Sequence, residues 1–105
     1  MKEIEFSEVI RPGYETAGVE FKSAGPRTDK QLFAKVVRAV LAMAKRRNGG
    51  LVIVAVEESQ GSLTPTGLPQ QDLGSWNHDA VTGAIAGYAD PYVSLRTEII
   101  EYQGK

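Results

Sequence analysis

The sequence predicts an α/β domain of mixed α+β type: a single mixed β-sheet with two helices, in the order β-β-α-β-β-α-β. Three observations predict it. Apolar residues recur at helical spacing from Leu32 to Ala44, Leu51 to Val56 is continuously apolar and rich in β-branched residues, and short alternating segments lie on either side. With 105 residues, 42% of them hydrophobic, the chain can fill one core but not two independent ones, so residues 1–105 read as a single domain.

Each element follows from local pattern. Ile4 and Phe6 alternate with Glu3 and Glu5, which suits a half-buried first strand reaching towards Ile10, and Arg11-Pro12-Gly13 breaks it. Val19 and Phe21 resume the alternation and place Glu20 and Lys22 together on the opposite face. Gly25-Pro26 ends that strand, and Thr28 with Gln31 has capping-box spacing. The first helix then carries Leu32, Phe33, Val36, Val37, Val40, Leu41 and Ala44 on its apolar stripe, and Asn48-Gly49-Gly50 stops it. Leu51 to Val56 reads as a central strand covered on both faces, and Glu57-Glu58-Ser59-Gln60-Gly61 reads as a turn that returns it as a hairpin over Ser62–Thr66. Trp76, Ala80, Val81, Ala84, Ile85 and Tyr88 outline a second helix over 75–88, ended by Asp90-Pro91. Val93, Leu95, Thr97 and Ile99 share one face of a last strand.

Composition excludes several classes of function. The absence of cysteine removes disulfides, thiolate metal sites and thiol nucleophiles. No apolar run approaches the roughly 20 residues that a membrane-spanning helix needs, and the acidic, alternating N-terminus is unlike a signal peptide, so a cytoplasmic location and no membrane partner are expected. The lone His78 has no second histidine to complete a familiar ligand set, and Ser59, Ser62 and Ser75 lack an evident base.

The net charge of −1 conceals an asymmetry. Residues 22–47 hold Lys22, Arg27, Lys30, Lys35, Arg38, Lys45, Arg46 and Arg47 against Asp29 alone, a surplus of seven, so the remainder carries −8. On a helical wheel Gln31, Lys35, Arg38, Ala42, Lys45 and Arg46 fall opposite the apolar stripe. Such a stripe can meet phosphates, and it can equally be a solvated helix face.

The ordered series Gly13-Tyr14-Glu15, Val19-Glu20-Phe21-Lys22, a helix, Asn48-Gly49-Gly50, an apolar strand, Val56-Glu57-Glu58, Thr66-Gly67-Leu68 and Asp90-Pro91 resembles the Schlafen AlbA_2 family over roughly residues 13–100. The resemblance implies a DNA- or RNA-binding domain, linked to transcription regulation and often attached to other domains of a longer regulator. In the Schlafen branch it implies a metal-dependent ribonuclease site, carried onto Glu15 and Glu20, with Lys22 nearby and Glu57 or Glu58 in the third place. Glutamate stands there in place of the family's usual aspartate, one methylene longer.

Three functions therefore stand as expectations. The first is a nucleic-acid-binding, regulatory domain using Lys22, Arg27, Lys30, Lys35, Arg38, Lys45 and Arg46 as phosphate contacts. The second is a nuclease in which Glu15, Glu20, Glu57 and Glu58 hold Mg²⁺ or Mn²⁺, since these hard ions take oxygen ligands, and Glu15, Glu20, Lys22 and Glu58 act in catalysis. The third is a protein-interaction or homodimerisation domain pairing its outer strands. No cofactor is expected outside the nuclease reading.

Overall fold

In the computed structural model, which describes residues 3–12, 18–59, 61–87 and 95–104, the chain runs α1 (Glu3–Ile10), β1 (Val19–Lys22), α2 (Lys30–Ala44), β2 (Leu51–Val54), β3 (Val56–Ser59), β4 (Ser62–Pro65), α3 (Gln70–Ser75) and α4 (His78–Ala86). The α+β class holds. The single mixed sheet does not, because the described strands form two separate two-stranded sheets, β1-β2 and β3-β4.

The first correction lies at the N-terminus, where an expected strand is the helix α1. Eight residues are too few for the alternation of Ile4 and Phe6 to outvote the i, i+3, i+4 set of Phe6, Val9 and Ile10. The helical set wins because all three side chains reach one core: Phe6 is buried, and Val9 and Ile10 pack beside it.

Strand β1 pairs in parallel with β2, Val19 opposite Leu51 and Lys22 opposite Val54. Parallel neighbours need a long crossover, and α2 supplies it. Its cap is Asp29 rather than Thr28: Asp29 Oδ1 accepts from the backbone N–H groups of Gln31 and Leu32, both at 3.1 Å, and a carboxylate also suits the positive helix end. Helix α2 stops at Ala44, well before Gly49, whose φ of +68° belongs to the loop that enters β2. Gly50 is demanded by crowding, since a Cβ there would come within 2.9 Å of the Gly18 carbonyl oxygen and would overlap Met43.

The expected central strand is broken at Ala55, whose φ of +77° lies in the left-handed region. Beyond this kink β3 leaves the line of β2 and folds against β4 as an antiparallel hairpin, Ser59 opposite Ser62. Gly61, at φ +78°, suits the tight turn between them. The kink is pinned from both sides. Ala55 N–H donates to the Lys22 carbonyl at 2.8 Å, and its own carbonyl accepts from Thr66 N–H at 2.9 Å and from Thr66 Oγ1 at 3.1 Å. Strand β2 is thus half-buried, with Leu51 exposed, instead of covered on both faces.

The expected second helix is α4, which starts at His78 rather than Ser75, and a short unexpected helix, α3, precedes it. Pro69 opens α3, Trp76 closes it, and Asn77 caps α4 by accepting from Ala80 N–H at 2.9 Å. Asn77 takes this role because its side chain competes with the backbone for that donor and favours a cap over a helix interior. Tyr88, Asp90, Pro91 and Val93 lie outside the described residues. Leu95 to Tyr102, expected as the last strand, joins no ladder among the described residues. A strand is defined by its partner, and alternation alone does not provide one.

Two cores result. Phe33 and Val37 of α2 meet Val81 and Ile85 of α4, with Trp76 and Leu95 against them. Phe6, Phe21 and Val56 form the other, with Ile53, Leu63, Ile100 and Tyr102 packed around, Tyr102 edge-on to Phe6 at 4.8 Å. The radius of gyration is 13.3 Å, close to the roughly 13 Å of a compact domain of this length. No helix among the described residues is long and apolar enough to cross a membrane.

Candidate nucleic-acid interface

Helix α2 is the element that displays charge. It buries Phe33, Val36, Val37 and Ala39, and that choice of inner face turns Lys35 and Arg38 outwards. Lys30 at its start and Lys45, Arg46 and Arg47 after its end are exposed as well. At 1.5 Å per residue the row from Lys30 to Lys45 spans about 22 Å. The helix sequence KQLFAKVVRAVLAMA contains no aspartate or glutamate, and Lys35, Arg38 and Lys45 form no ion pair with a described residue. All six positions that the wheel placed on the outer face, Gln31, Lys35, Arg38, Ala42, Lys45 and Arg46, are exposed. Ala44, expected on the apolar stripe, is exposed too, because the helix axis has run past the core by its last turn.

Other cations have structural work. Arg27 donates its backbone N–H to Ser75 Oγ at 2.9 Å and its Nε–H to the Ser75 carbonyl at 2.8 Å, and its guanidinium stands 5.9 Å from the centre of the Phe33 ring. Ser75 Oγ in turn donates to the Asp72 carbonyl, and Trp76 Nε1–H donates to the Gly25 carbonyl at 2.8 Å. These bonds clasp the loop before α2 to the end of α3. The sequence carried no signal for this clasp, since its partners lie about fifty residues apart. Arg46, beyond α2, lies against Gly18, its guanidinium 3.5 Å from the place a Cβ on that glycine would take.

The acidic positions are distributed over two strands. Glu20 and Lys22, on one face of β1 as their spacing requires, form an ion pair of 3.1 Å, both half-buried. Glu57, exposed on β3, accepts a hydrogen bond from Ser23 Oγ at 3.4 Å, so its carboxylate reaches the end of β1 one residue beyond Lys22. Glu58 follows on the opposite face of the hairpin by strand alternation. Glu15 lies outside the described residues. Among the described residues no group of three or more acidic or histidine side chains is arranged to hold a metal ion.

His78 bonds through Nδ1 with Thr97 Oγ1 at 2.9 Å, tying the start of α4 to the C-terminal segment. Trp76 and Tyr102 are engaged in packing, as described above. Comparison with protein-family models, with curated proteins and with solved structures finds no match.

Proposed function

We propose that the chain is a nucleic-acid-binding domain of Schlafen AlbA_2-like type that contacts phosphates through the outer face of α2. The observation that carries this reading is the row of exposed Lys30, Lys35, Arg38, Lys45 and Arg46 with no acidic residue in the helix to neutralise it. A solvated helix face of ordinary kind interleaves both signs of charge, gaining from i, i+4 pairs. Here the anions are held elsewhere in the chain, an arrangement that suits a polyanion and favours rapid, salt-dependent association. The contacts are to the phosphate backbone, so little base readout is expected. A cytoplasmic, regulatory role, alone or beside other domains, belongs to the same proposal.

The test is a fluorescence-anisotropy titration with DNA and RNA oligonucleotides at several salt concentrations. Affinity should fall steeply with salt, and changing Lys35, Arg38 and Lys45 together to Glu should weaken it at least ~10-fold and flatten the salt slope by about 2 to 3. The melting temperature should stay put, because the three side chains project from the outer face. Unchanged affinity in the triple variant would leave the stripe a solvated face.

The Ser23–Glu57 hydrogen bond, which brings a β3 carboxylate to the end of β1, is the observation favouring a nuclease as second reading. Its ion would be held by oxygen ligands from Glu15, Glu20 and Glu57 or Glu58. Mn²⁺-dependent cleavage of RNA that is lost in Glu20→Gln, with binding kept, is the result this reading needs.

A further inference from the structure

Strand β2 and the irregular segment Leu95–Tyr102 face each other across an open groove. The groove, of about 1240 Å³, is lined by every residue from Gly49 to Val56 and every residue from Leu95 to Tyr102, together with Val36, Val40 and Met43 of α2. Successive side chains of a strand point to opposite faces, so a groove that touches all of them in turn runs along the strand's edge. The edge concerned is the one with no partner strand among the described residues. Leu51 N–H and Ala55 N–H donate to the Gly18 and Lys22 carbonyls of the β1 side, each at 2.8 Å, and N–H directions alternate along a strand. The N–H groups of Val52 and Val54 therefore point away from β1.

The opposite wall, Leu95 to Tyr102, contains no helix or turn, and its side chains alternate in what they touch. Arg96 and Glu98, two residues apart, form an ion pair of 3.0 Å, as neighbours on one face of an extended chain do. Ile100 and Tyr102, of the same parity, pack into the core around Phe6, while Leu95 packs against the core around Phe33. Leu51 and Ile99 are the two large apolar side chains left exposed among the described residues, Ile99 at 61%, and both line this groove. Leu95 to Tyr102 contains neither glycine nor proline.

We propose that the groove is the seat of the chain's own Leu95–Tyr102 segment, which closes onto that edge of β2 as a third strand. Closure gives the Val52 and Val54 amides acceptors and covers Leu51 and Ile99. It also removes a bare sheet edge, which otherwise invites pairing with another chain. The occupant is this segment rather than a second copy because it is tethered at both ends, to one core through Leu95 and to the other through Ile100 and Tyr102. Such tethering holds it at the groove at an effective concentration that a second molecule reaches only in the millimolar range. The inference stands apart from the nucleic-acid reading, since the outer face of α2 takes no part in it.

Amide hydrogen exchange of the full chain, read residue by residue by NMR, tests it. The Val52 and Val54 amides should exchange at least ~100-fold more slowly than in an unstructured chain, at every protein concentration, alongside those of Ile53 and Ala55. Ile99→Pro, which removes a backbone N–H and the free φ of a strand residue at a position whose side chain is exposed in the open form, should return Val52 and Val54 towards unstructured rates while Ile53 keeps its protection. Val52 and Val54 exchanging within about threefold of the unstructured rate while Ile53 is protected would overturn closure. Protection lost on dilution, in step with dissociation of a dimer, would overturn it by assigning the edge to a second copy. Should the proline variant fail to fold, the contrast between Ile53 and its two neighbours in the wild-type chain decides alone.

Discussion

Ala55 is the residue on which the architecture turns. A non-glycine residue at φ +77° costs roughly 1 to 2 kcal/mol, and the structure over-determines it through hydrogen bonds to Lys22 on one side and Thr66 on the other. Replacing it with glycine relieves that strain but loses a buried methyl, worth about 0.8 kcal/mol, and adds freedom to the unfolded chain worth roughly 0.4 to 1 kcal/mol. The terms nearly cancel. Ala55→Gly should melt within about 5 °C of the wild type, whereas β-branched Ala55→Val should lose about 10 °C or more in a thermal scan followed by circular dichroism. An Ala55→Val chain as stable as the wild type would show that the kink is not where the backbone bends. Nothing in the run Leu51 to Val56 announced this residue, because alanine is at home in a straight strand, in a helix and, at a cost, here.

Helix α2 is the element whose existence, apolar stripe and outer face could all be read from periodicity. Fifteen residues at one consistent period leave few alternatives, so boundaries alone were at issue. The cap moved by one residue, from Thr28 to Asp29, because two candidate acceptors stand side by side and only the loop's course decides which meets the helix N–H groups. Asp29→Ala should therefore cost about 1 kcal/mol, while Thr28→Ala should change stability little, as urea titration of both variants would show. Equal losses would mean that the two share the cap. The Glu20–Lys22 pair on β1 adds little stability, since partly exposed ion pairs contribute on the order of 0 to 1 kcal/mol. It sets a cation and a carboxylate side by side at the strand that Glu57 approaches.

For the whole molecule, the apolar run from Leu51 to Val56 contributes to the core mainly through Val56. Val56 is 3% exposed, between Phe6 and Phe21, whereas Val54 is half-buried beside the groove. A charge in the core should thus be intolerable at Val56 before Val54. Val56→Asp should abolish the cooperative thermal transition, since an unpaired carboxylate there has no partner to offset its desolvation. A soluble, cooperatively melting Val56→Asp chain would refute the placement of that core.

By itself the sequence determined the α+β class, helix α2 with its inner and outer faces, strand β1 with Glu20 and Lys22 on one side, and a return strand from Ser62, although Glu57 to Ser59, expected in the turn before it, are strand. These rest on interactions between residues close along the chain, which periodicity and turn chemistry record. Tertiary structure alone decided that Glu3–Ile10 is a helix, that Ala55 splits one expected strand into two sheets, and that α3, clasped to the loop before α2, precedes the second expected helix. It also decided that Arg27 is clasped to Ser75 and that Leu95 to Tyr102 faces the edge of β2. Each of these outcomes depends on a partner at least thirty residues away or on which of two short patterns the core accepts, and a local pattern does not carry that choice.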